Sequence, residues 1–520
     1  MQSCFARARD LFGLFVYEVE MEAAISSLRK TDRTGETETR ATRTAPDYHE
    51  LLLKTLREAS RRATHRQHPV LASFTQPFVR HDPLRVFTGA AQAALGECFF
   101  WERPAEQHAL IGTGAAATIE TGGDTRFSDA AAARRALLSD AVVAYAPETA
   151  RTASSGPVLC GGFTFDPHTP RTQLWADFPD GLLILPQILL SYSPDQTTLT
   201  VNRMVRADDD IEQCAREIAA SVELLQTAIR QAPASYRQES GTELSVQDVR
   251  PATEWMATVE NMVARIRQGD FDKVVLARDI RVTRKDAGEA FDIGATLQRL
   301  RESYPAAYVF ALQRGRRFFV GATPEQLVRS RHGQVHTMAL AGSARRGESE
   351  EEDTRIGIEL LQSQKNNSEH AIVVAMVRAA LKNHCTSVSV SSTPRLLKLQ
   401  NVQHLKTSIS GELLPGRCIL DLLADLHPTP AVGGFPRQEA LAAIRETELL
   451  DRGWYAAPLG WINADGHGEF AVALRSGLID GSEARLFAGC GIVADSDPEA
   501  EFAESCLKFQ VMLHALTGSH

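Results

Sequence analysis

The carboxyl-terminal segment carries three charged residues at helical spacing. The run 495–498 (DSDP) is typical of a helix start, with an Asp at the N-cap and a Pro at the first position. Glu501, Glu504 and Lys508 follow at i, i+3 and i+7, which places them on one helix face. Two such carboxylates can hold a hard cation, and the lysine can meet a substrate carboxylate. On this helix alone, the more common explanation is a solvated face with a Glu–Lys pair.

A further acidic candidate, Glu369, lies in the motif NNSEH just before the apolar run 371–377. A glutamate there could supply another cation ligand from a second helix. An isolated glutamate at such a place is more often a first-turn residue that the helix dipole favours. The adjacent His370 is more often structural than a ligand.

Two residues near strand ends have the right types for proton transfer. Lys273 begins the apolar strand KVVLAR, where desolvation can favour a neutral amine that acts as a general base. A lysine on the exposed face of an edge strand is the alternative. Glu325 follows a strand end in GATPE. It could point into a cleft as a general acid, or it could simply begin a helix after Pro324.

Two glycine-rich segments could bind carboxylate oxygens through their backbone N–H groups. The first is Ala341-Gly342-Ser343, which is followed by Arg345-Arg346-Gly347, and the second is Gly489-Cys490-Gly491. Each of these signals is weak when taken alone.

The elements that must position these residues are strands interrupted by helices. Apolar segments between Gly, Pro and Asp predict strands, and His332-Gly333 is a two-residue hairpin signal. The predicted strands are 158–165, 182–191, 273–282, 307–313, 318–320, 327–331, 334–340, 459–463, 469–479 and 485–493. The predicted helices are 48–64, 211–232, 252–267, 354–382, 437–450 and one from 498. Since hairpins and helices follow one another without a βαβ rhythm, the pattern predicts an α+β fold.

Composition divides the chain into three regions. Residues 29–47 are rich in Thr, Arg and Glu, so 1–47 is expected to be a flexible N-terminal extension. Translation could also start at Met21 rather than Met1. The polar run 238–248 predicts a boundary between a first half, 48–248, and a second half, 249–520.

Bulk charge and cysteine usage limit the kinds of partner. The formal net charge is −9 and no run approaches the length of a membrane span, so neither nucleic acid nor a membrane is an expected partner. An anionic substrate must then be captured by local cations. The 8 cysteines show no CxxC pair, which favours a reduced, cytoplasmic location. A monomer is the default expectation.

The motifs of the second half, taken in order, resemble those of the chorismate-utilising enzymes. The resemblance covers residues from about 271 to the C-terminus, and GGFTFDP at 161–167 resembles the more variable first half. The matching motifs are KVVLAR, GATPEQL, LAGSARRG, NNSEH, NVQHL, LHPTPAVGG, LDRGWYAAPLGW, FAVALRSGLI and FAGCGIVADSDPEAEF. The family includes anthranilate, aminodeoxychorismate, salicylate and isochorismate synthases. The motifs of this chain are most similar to those of isochorismate synthases of the menaquinone type.

This resemblance implies a fold and a set of site residues. The implied fold has two stacked antiparallel β-sheets flanked by helices, with the site in a cleft between them. Lys273 would be the general base that activates water, and Glu325 the general acid that protonates the departing hydroxyl. Glu369 and Glu504 would bind Mg²⁺, with Glu501 close by or acting through water. The implied substrate-binding residues are Ala341, Gly342, Ser343, His404, Arg475, Gly489, Gly491 and Lys508.

The implied reaction is the isomerisation of chorismate to isochorismate, by water addition at C2 and loss of the C4 hydroxyl. Lys273 disfavours the ammonia-using anthranilate and aminodeoxychorismate synthases, which differ at this position. Salicylate synthase and an isochorismate synthase of a siderophore pathway stay open as alternatives. A catalytically silent regulatory subunit is the alternative from another class, although such a subunit would be expected to lose one of the key charged residues.

Overall fold

The chain forms two β-sheets with helices packed against them. The computed structural model describes residues 48–233, 236, 243–285, 289–398 and 402–518, without the side chains of Ser343 and Val402. Residues 48–518 belong to one compact unit. The expected flexible extension, 1–47, and the question of a start at Met21 lie outside the described residues.

The strands of this unit, numbered along the chain, vary from two to twelve residues in length. They are β1 Val70–Pro77, β2 Cys98–Arg103, β3 His108–Thr113, β4 Ala117–Thr121, β5 Val142–Tyr145, β6 Val158–Phe163, β7 Gly181–Leu185, β8 Ile188–Tyr192, β9 Thr197–Val205, β10 Leu244–Asp248, β11 Lys273–Arg284, β12 Tyr308–Arg314, β13 Arg317–Thr323, β14 Gln326–Arg331, β15 Gln334–Arg345, β16 Cys385–Val390, β17 Arg395–Lys398, β18 Val402–Leu413, β19 Gly434–Phe435, β20 Pro458–Asn463, β21 Gly468–Val472, β22 Ser476–Asp480 and β23 Glu483–Ile492.

Some helices begin at a capping residue or end at a glycine in the sequence. For example, Gly269 adopts a left-handed conformation (φ 87°) directly after the helix that precedes β11. The helices are α1 Tyr48–Arg66, α2 Pro83–Gln92, α3 Arg126–Leu138, α4 Ile211–Gln231, α5 Ala252–Gln268, α6 Ile293–Ser303, α7 Glu350–Gln362, α8 Gln364–Lys382, α9 Ile419–Leu426, α10 Arg437–Thr447 and α11 Pro498–Thr517.

Both halves of the chain contribute strands to both sheets. The thirteen-stranded sheet has the order β10-β11-β23-β22-β13-β12-β2-β3-β8-β9-β1-β5, with β19 paired to β11. The ten-stranded sheet has the order β16-β18-β15-β14-β21-β20-β6-β7-β4, with β17 paired to β18. Among the described pairings only β1–β5 is parallel. The expectation of an α+β fold with two antiparallel sheets is therefore confirmed, while the division of the chain at residue 248 stays a prediction.

Two predicted strands are each two strands that belong to different sheets. The segment 182–191 is interrupted at Pro186, so that β7 and β8 pair in separate sheets. The segment 469–479 is interrupted at 473–475, where Arg475 has a left-handed φ of 49° and the chain passes from β21 to β22. In the sequence, two consecutive buried strands look like one long strand, because residues on both faces of each strand are buried.

The predicted helix 354–382 is two helices. Ser363 ends α7 and caps α8, accepting a hydrogen bond from Asn366 N at 3.3 Å through its Oγ. The alternative that Glu369 is merely a first-turn glutamate is wrong, since α8 begins at Gln364. The polar run 238–248, predicted to be a boundary, contains β10 in its described part, and β10 pairs with β11.

Large aromatic side chains fill the space between the sheets. Trp175 is fully buried against the rings of Phe319 and Phe487, at centroid distances of 5.3 and 5.5 Å. Its Nε1 donates to Asp451 O at 3.0 Å. One apolar cluster joins side chains from both sheets around this residue, and a second lies between the longer sheet and its helices.

Replacement of Trp175 by Ala tests the importance of this contact. We expect Trp175→Ala to lower the free energy of unfolding by about 3–5 kcal/mol, because it leaves a cavity between the sheets and an unpaired carbonyl. Urea denaturation followed by circular dichroism measures the change. The matched variant Trp175→Phe keeps an aromatic ring and should lose less, whereas an equal loss in both would contradict a packing role.

Candidate active site

Lys273 occupies the first position of β11, between two flanking strands. On one side β19 pairs with it (Lys273 with Phe435), and on the other β23 begins its pairing at Val274. Gly491 leaves room for the lysine, because a Cβ added at Gly491 would lie 2.9 Å from Lys273 Cε. The Lys273 Nζ donates to Glu369 Oε1 at 3.2 Å, and its side chain is 20% exposed. The lysine therefore points into a partly open cleft rather than onto an exposed sheet edge.

Glu325 lies in the short connection between β13 and β14. Its backbone is fixed by two hydrogen bonds, from Val472 N to Glu325 O and from Glu325 N to Thr323 Oγ1, at 3.0 and 3.2 Å. Desolvation raises the pKa of Glu325 to about 7, against the opposing fields of Lys273 and Lys508. A carboxyl group with this pKa can hold a proton near neutral pH. The alternative that Glu325 merely begins a helix is wrong, since a strand follows it.

Arg475 lies where the chain crosses from one sheet to the other. Its left-handed backbone and a hydrogen bond from Ala322 N to its carbonyl at 3.2 Å hold the crossing in place. Burial lowers the pKa of Arg475, an effect that the neighbouring Tyr455 and Glu504 oppose. The guanidinium remains charged, and it lies within the electrostatic influence of Glu504 on α11.

Lys508 connects α11 to the glycine-rich end of β23. Its Nζ donates to Gly489 O at 2.7 Å and forms an ion pair with Glu504 at 2.7 Å. The sulfur of Cys490 lies 3.8 Å from the same ammonium. The predicted N-cap at Asp497 is confirmed, since its side chain accepts from Ala500 N at 2.9 Å. The structure thus directs Lys508 toward β23, and it also contains the Glu–Lys pair of the alternative explanation, with the Glu504 side chain 54% exposed.

The carboxylates of α11 form a candidate cation site. Ligand atoms of Glu501, Glu504 and Cys490 lie within 4.8 Å of one another. Glu501 accepts from Ser496 Oγ at 2.7 Å, and burial raises its pKa. Two carboxylates suit a hard cation such as Mg²⁺, whereas the thiol does not. Glu369 is absent from this group of three and instead faces the cleft from α8, paired with Lys273.

His404 and the bulge of β15 form another wall of the site. The register of β15 with β18 shifts between Ala341 and Ser343, and Ser343 is paired with His404. Gly342 takes a left-handed φ of 75° there, and a Cβ at this position would contact Asn366 of α8. Desolvation lowers the pKa of His404 to about 4, with Lys508, Lys273 and Arg475 acting in the same direction. The imidazole is therefore neutral at neutral pH.

His370 has a structural position, as the sequence suggested. It is buried in α8, and its Nε2 lies 2.7 Å from Thr407 Oγ1. This contact ties α8, which carries Glu369, to the strand that carries His404. No metal-ligating group includes His370 among the described residues.

Tyr455 is a site residue that the sequence reasoning missed. Its ring is buried and stacks on Phe487 at a centroid distance of 5.3 Å. Its hydroxyl lies 3.3 Å from where a Cβ on Gly489 would be. Burial raises the pKa of this phenol, so the hydroxyl is neutral near Arg475. The available signal was its place in the motif LDRGWYAAPLGW, where it follows Gly453-Trp454 and precedes two alanines.

The predicted charged residues therefore converge on one cleft. Lys273, Glu325, Arg475 and Lys508 influence one another or His404 electrostatically, and Glu369 joins them through Lys273. The sequence model of the protein family described as chorismate binding enzyme matches residues 55–517 of this chain. This chain belongs to the chorismate-binding enzyme family.

Family members with named activities match most of the chain. Isochorismate synthase MenF of Bacillus subtilis is 38% identical over 467 residues, which cover 89% of this chain and 97% of that protein. A salicylate biosynthesis isochorismate synthase of Pseudomonas aeruginosa is 38% identical over 450 residues, covering 86% and 91%. The solved structure of MenF, the menaquinone-specific isochorismate synthase of Escherichia coli, has a TM-score of 0.70 at 26% identity, covering 89% of this chain and 100% of that one.

Membership in the family fits the other features of the described part. The structural likeness covers 89% of this chain and so includes the more variable first half, which the resemblance had assigned to the same fold. Across the described ranges, no helix is both long enough and apolar enough to cross a bilayer.

The raised pKa of Glu325 has a consequence for stability. A carboxyl group whose folded-state pKa lies near 7 binds a proton more tightly than in the unfolded chain, where its pKa is 4.5. Stability therefore falls as pH rises from the unfolded-state pKa to the folded-state pKa. We expect Glu325→Gln to increase the free energy of unfolding at pH 8 by roughly 2 kcal/mol, and by almost nothing at pH 4. Denaturant titrations at the two pH values measure this, with Glu120→Gln, an exposed carboxylate, as the control. An equal effect at both pH values would contradict the raised pKa.

Proposed function

We propose that this protein is an isochorismate synthase, an isomerase that converts chorismate to isochorismate, and that it acts in menaquinone biosynthesis. The observation that carries the proposal is an acid–base pair in the cleft of a chorismate-binding enzyme. Glu325, with its pKa near 7, lies within the field of Lys273. Relatives named as isochorismate synthases match this chain over nearly their whole length. The menaquinone assignment is supported by the two similar proteins named MenF.

The proposed substrate site supplies local positive charge to a dicarboxylate. Arg475 and Lys508 offer charge-assisted hydrogen bonds to the carboxylates, which the net acidic chain would otherwise repel. Neutral His404 can add a hydrogen bond without adding charge. The backbone N–H groups of the two glycine-rich segments are proposed to take the remaining oxygens, from Ala341, Gly342, Ser343, Gly489 and Gly491.

The proposed chemistry couples two proton transfers. Lys273 takes a proton from water as the water oxygen bonds to C2, and Glu325 gives a proton to the C4 hydroxyl as its C–O bond breaks. The ring double bonds shift between these two carbons, so one water enters and one leaves. Proton return from Lys273 to Glu325 resets the enzyme, and the net reaction is an isomerisation.

The proposed cofactor is Mg²⁺, held by Glu369 and Glu504 with Glu501 close by. When bound, the ion supplies a positive charge that neutralises a substrate carboxylate. In the structure each of the first two glutamates is paired with a lysine, at 3.2 Å for Glu369 and 2.7 Å for Glu504. If Mg²⁺ were bound by these two carboxylates, Lys273 and Lys508 would be released from their ion pairs and could turn toward the substrate.

A direct assay tests the function. The purified protein is incubated with chorismate and Mg²⁺ without an ammonia donor, and the products are separated by chromatography. We expect isochorismate alone, with the rate reduced by about 10²–10⁴-fold in Lys273→Ala because a general base is lost. EDTA should abolish the activity, and added Mg²⁺ should restore it.

Other products would contradict the proposal in distinguishable ways. Salicylate with pyruvate, beyond slow spontaneous breakdown, would assign the protein to salicylate synthesis. No turnover of chorismate would favour a silent regulatory subunit. Activity that persists in EDTA would leave the isomerase proposal intact but remove magnesium from it.

The glycine beneath Lys273 offers a finer test of the base. In Gly491→Ala the new methyl group would lie 2.9 Å from Lys273 Cε, so the flexible end of the lysine must move. We expect the rate of isochorismate formation to fall at least ~10-fold, because misplaced catalytic groups are costly, while thermal stability hardly changes. Gly122→Ala serves as the control, because its φ is not left-handed and a Cβ there would make only an ordinary contact, 3.5 Å from Asp180 Oδ2. An unchanged rate in Gly491→Ala would argue against Lys273 as the base.

A further inference from the structure

Strand β11, which begins with Lys273, lacks a strand partner along part of the edge that lies opposite β23. At one end of this edge β19 pairs with Lys273 and Val274, and at the other β10 pairs with β11 from Ile280 onward. Between these two short strands, no described strand pairs with this edge of β11. Backbone N–H and C=O groups that point outward there must find other partners, because unpaired buried groups are costly.

Side chains, rather than a strand, fill this gap. Arg452 Nη2 donates to Val275 O at 2.7 Å, and Glu448 Oε2 accepts from Ala277 N at 2.7 Å. Trp255 Nε1 donates to Ala277 O at 3.3 Å. The missing strand partners of β11 are thus replaced chiefly by one glutamate and one arginine.

The Glu448–Arg452 pair is buried and well satisfied. The exposed fraction of the two side chains is 2% and 3%, and Arg452 Nε donates to Glu448 Oε1 at 2.6 Å. The guanidinium also lies 4.2 Å from the centroid of the Phe165 ring. A buried ion pair offsets its desolvation only when its remaining hydrogen-bonding groups are used, as they are here.

The pair joins the segments on both sides of the lysine. Arg452 Nη1 donates to Val432 O at 2.9 Å, and the next residue, Gly433, accepts from Val275 N at 2.9 Å. Val432 leads directly into β19, which pairs with Lys273. One guanidinium therefore holds both the strand that carries the lysine and the segment beside it, and it lies three residues before Tyr455.

We infer that the Glu448–Arg452 pair is a positioning device for Lys273. No hydrogen bond or ion pair of the described residues joins the Glu448–Arg452 pair to Lys273, although Arg452 O accepts from Tyr455 N at 2.9 Å. The pair acts by fixing the backbone from which the lysine projects. An apolar pair of similar size could fill the space, but it would leave Val275 O and Ala277 N without partners. The start of β11 would then be less well fixed. This inference rests on the proposed isochorismate synthase activity, in which Lys273 is the base.

The test compares variants that keep different parts of the pair. Arg452→Lys retains a charge opposite Glu448 but cannot reach Val275 O and Val432 O together. The double variant Glu448→Leu/Arg452→Met removes both charges, and such replacements of buried pairs often preserve stability. The control is Glu102→Gln, which alters a buried carboxylate 3.8 Å from Arg301 and away from β11.

Steady-state kinetics with chorismate and thermal unfolding are measured for all variants. For both pair variants we expect kcat to fall between ~10-fold and ~100-fold, as misplacement of a catalytic group does, with KM for chorismate within about threefold of wild type. Glu102→Gln should keep the wild-type kcat, whatever its effect on Tm.

Two results would overturn the inference. The first is a wild-type kcat in Arg452→Lys or in a folded double variant. The second is a loss of kcat in Glu102→Gln that matches the loss in the pair variants, since burial of charge alone would then explain the effect. If the wild-type protein itself forms no isochorismate, the proposed function fails instead. If the double variant does not fold, Arg452→Lys still decides the question.

Discussion

The antiparallel pairing of β11 with β23 is the constraint on which the site depends. This pairing runs from Val274 to Thr283 and fixes the lysine at one strand end against the glycine-rich end of the other. Helix α11 follows β23 after a short turn, and Lys508 returns from it to Gly489. The proposed base, the glycine-rich end of β23 and the carboxylates of α11 are therefore placed by this hydrogen-bonded ladder and the helix that follows it.

Electrostatics in the cleft follow from burial in an acidic protein. A chain of net charge −9 can hold a dicarboxylate only through cations that are close to it. The structure keeps Lys273 and Lys508 beside glutamates, so their positive charges are balanced before the substrate arrives. The same desolvation that raises the pKa of Glu325 lowers that of His404. Desolvation in the cleft therefore favours a protonated Glu325 and a neutral His404.

Local sequence signals predicted many of the helices and strands, but they did not predict where one element is divided into two. The start of α11 at Pro498 and the strand at Lys273 were predictable, because caps and apolar alternation act within a few residues. The break between α7 and α8 at Ser363 was not, since a serine is compatible with either a helix interior or a cap. The sheet crossing at Arg475 was also missed, because burial on both faces hides where one sheet ends.

By themselves, the residue types and motif order determined the family and the set of charged residues available for catalysis. They also indicated that Lys273 and Glu325 lie near strand ends, because strand periodicity and turn residues are local properties. Only the tertiary structure decided that Glu369 pairs with Lys273 and that Arg452 joins β11 to the segment that precedes β19. Such contacts join residues far apart in the chain, and their geometry depends on the register of whole sheets.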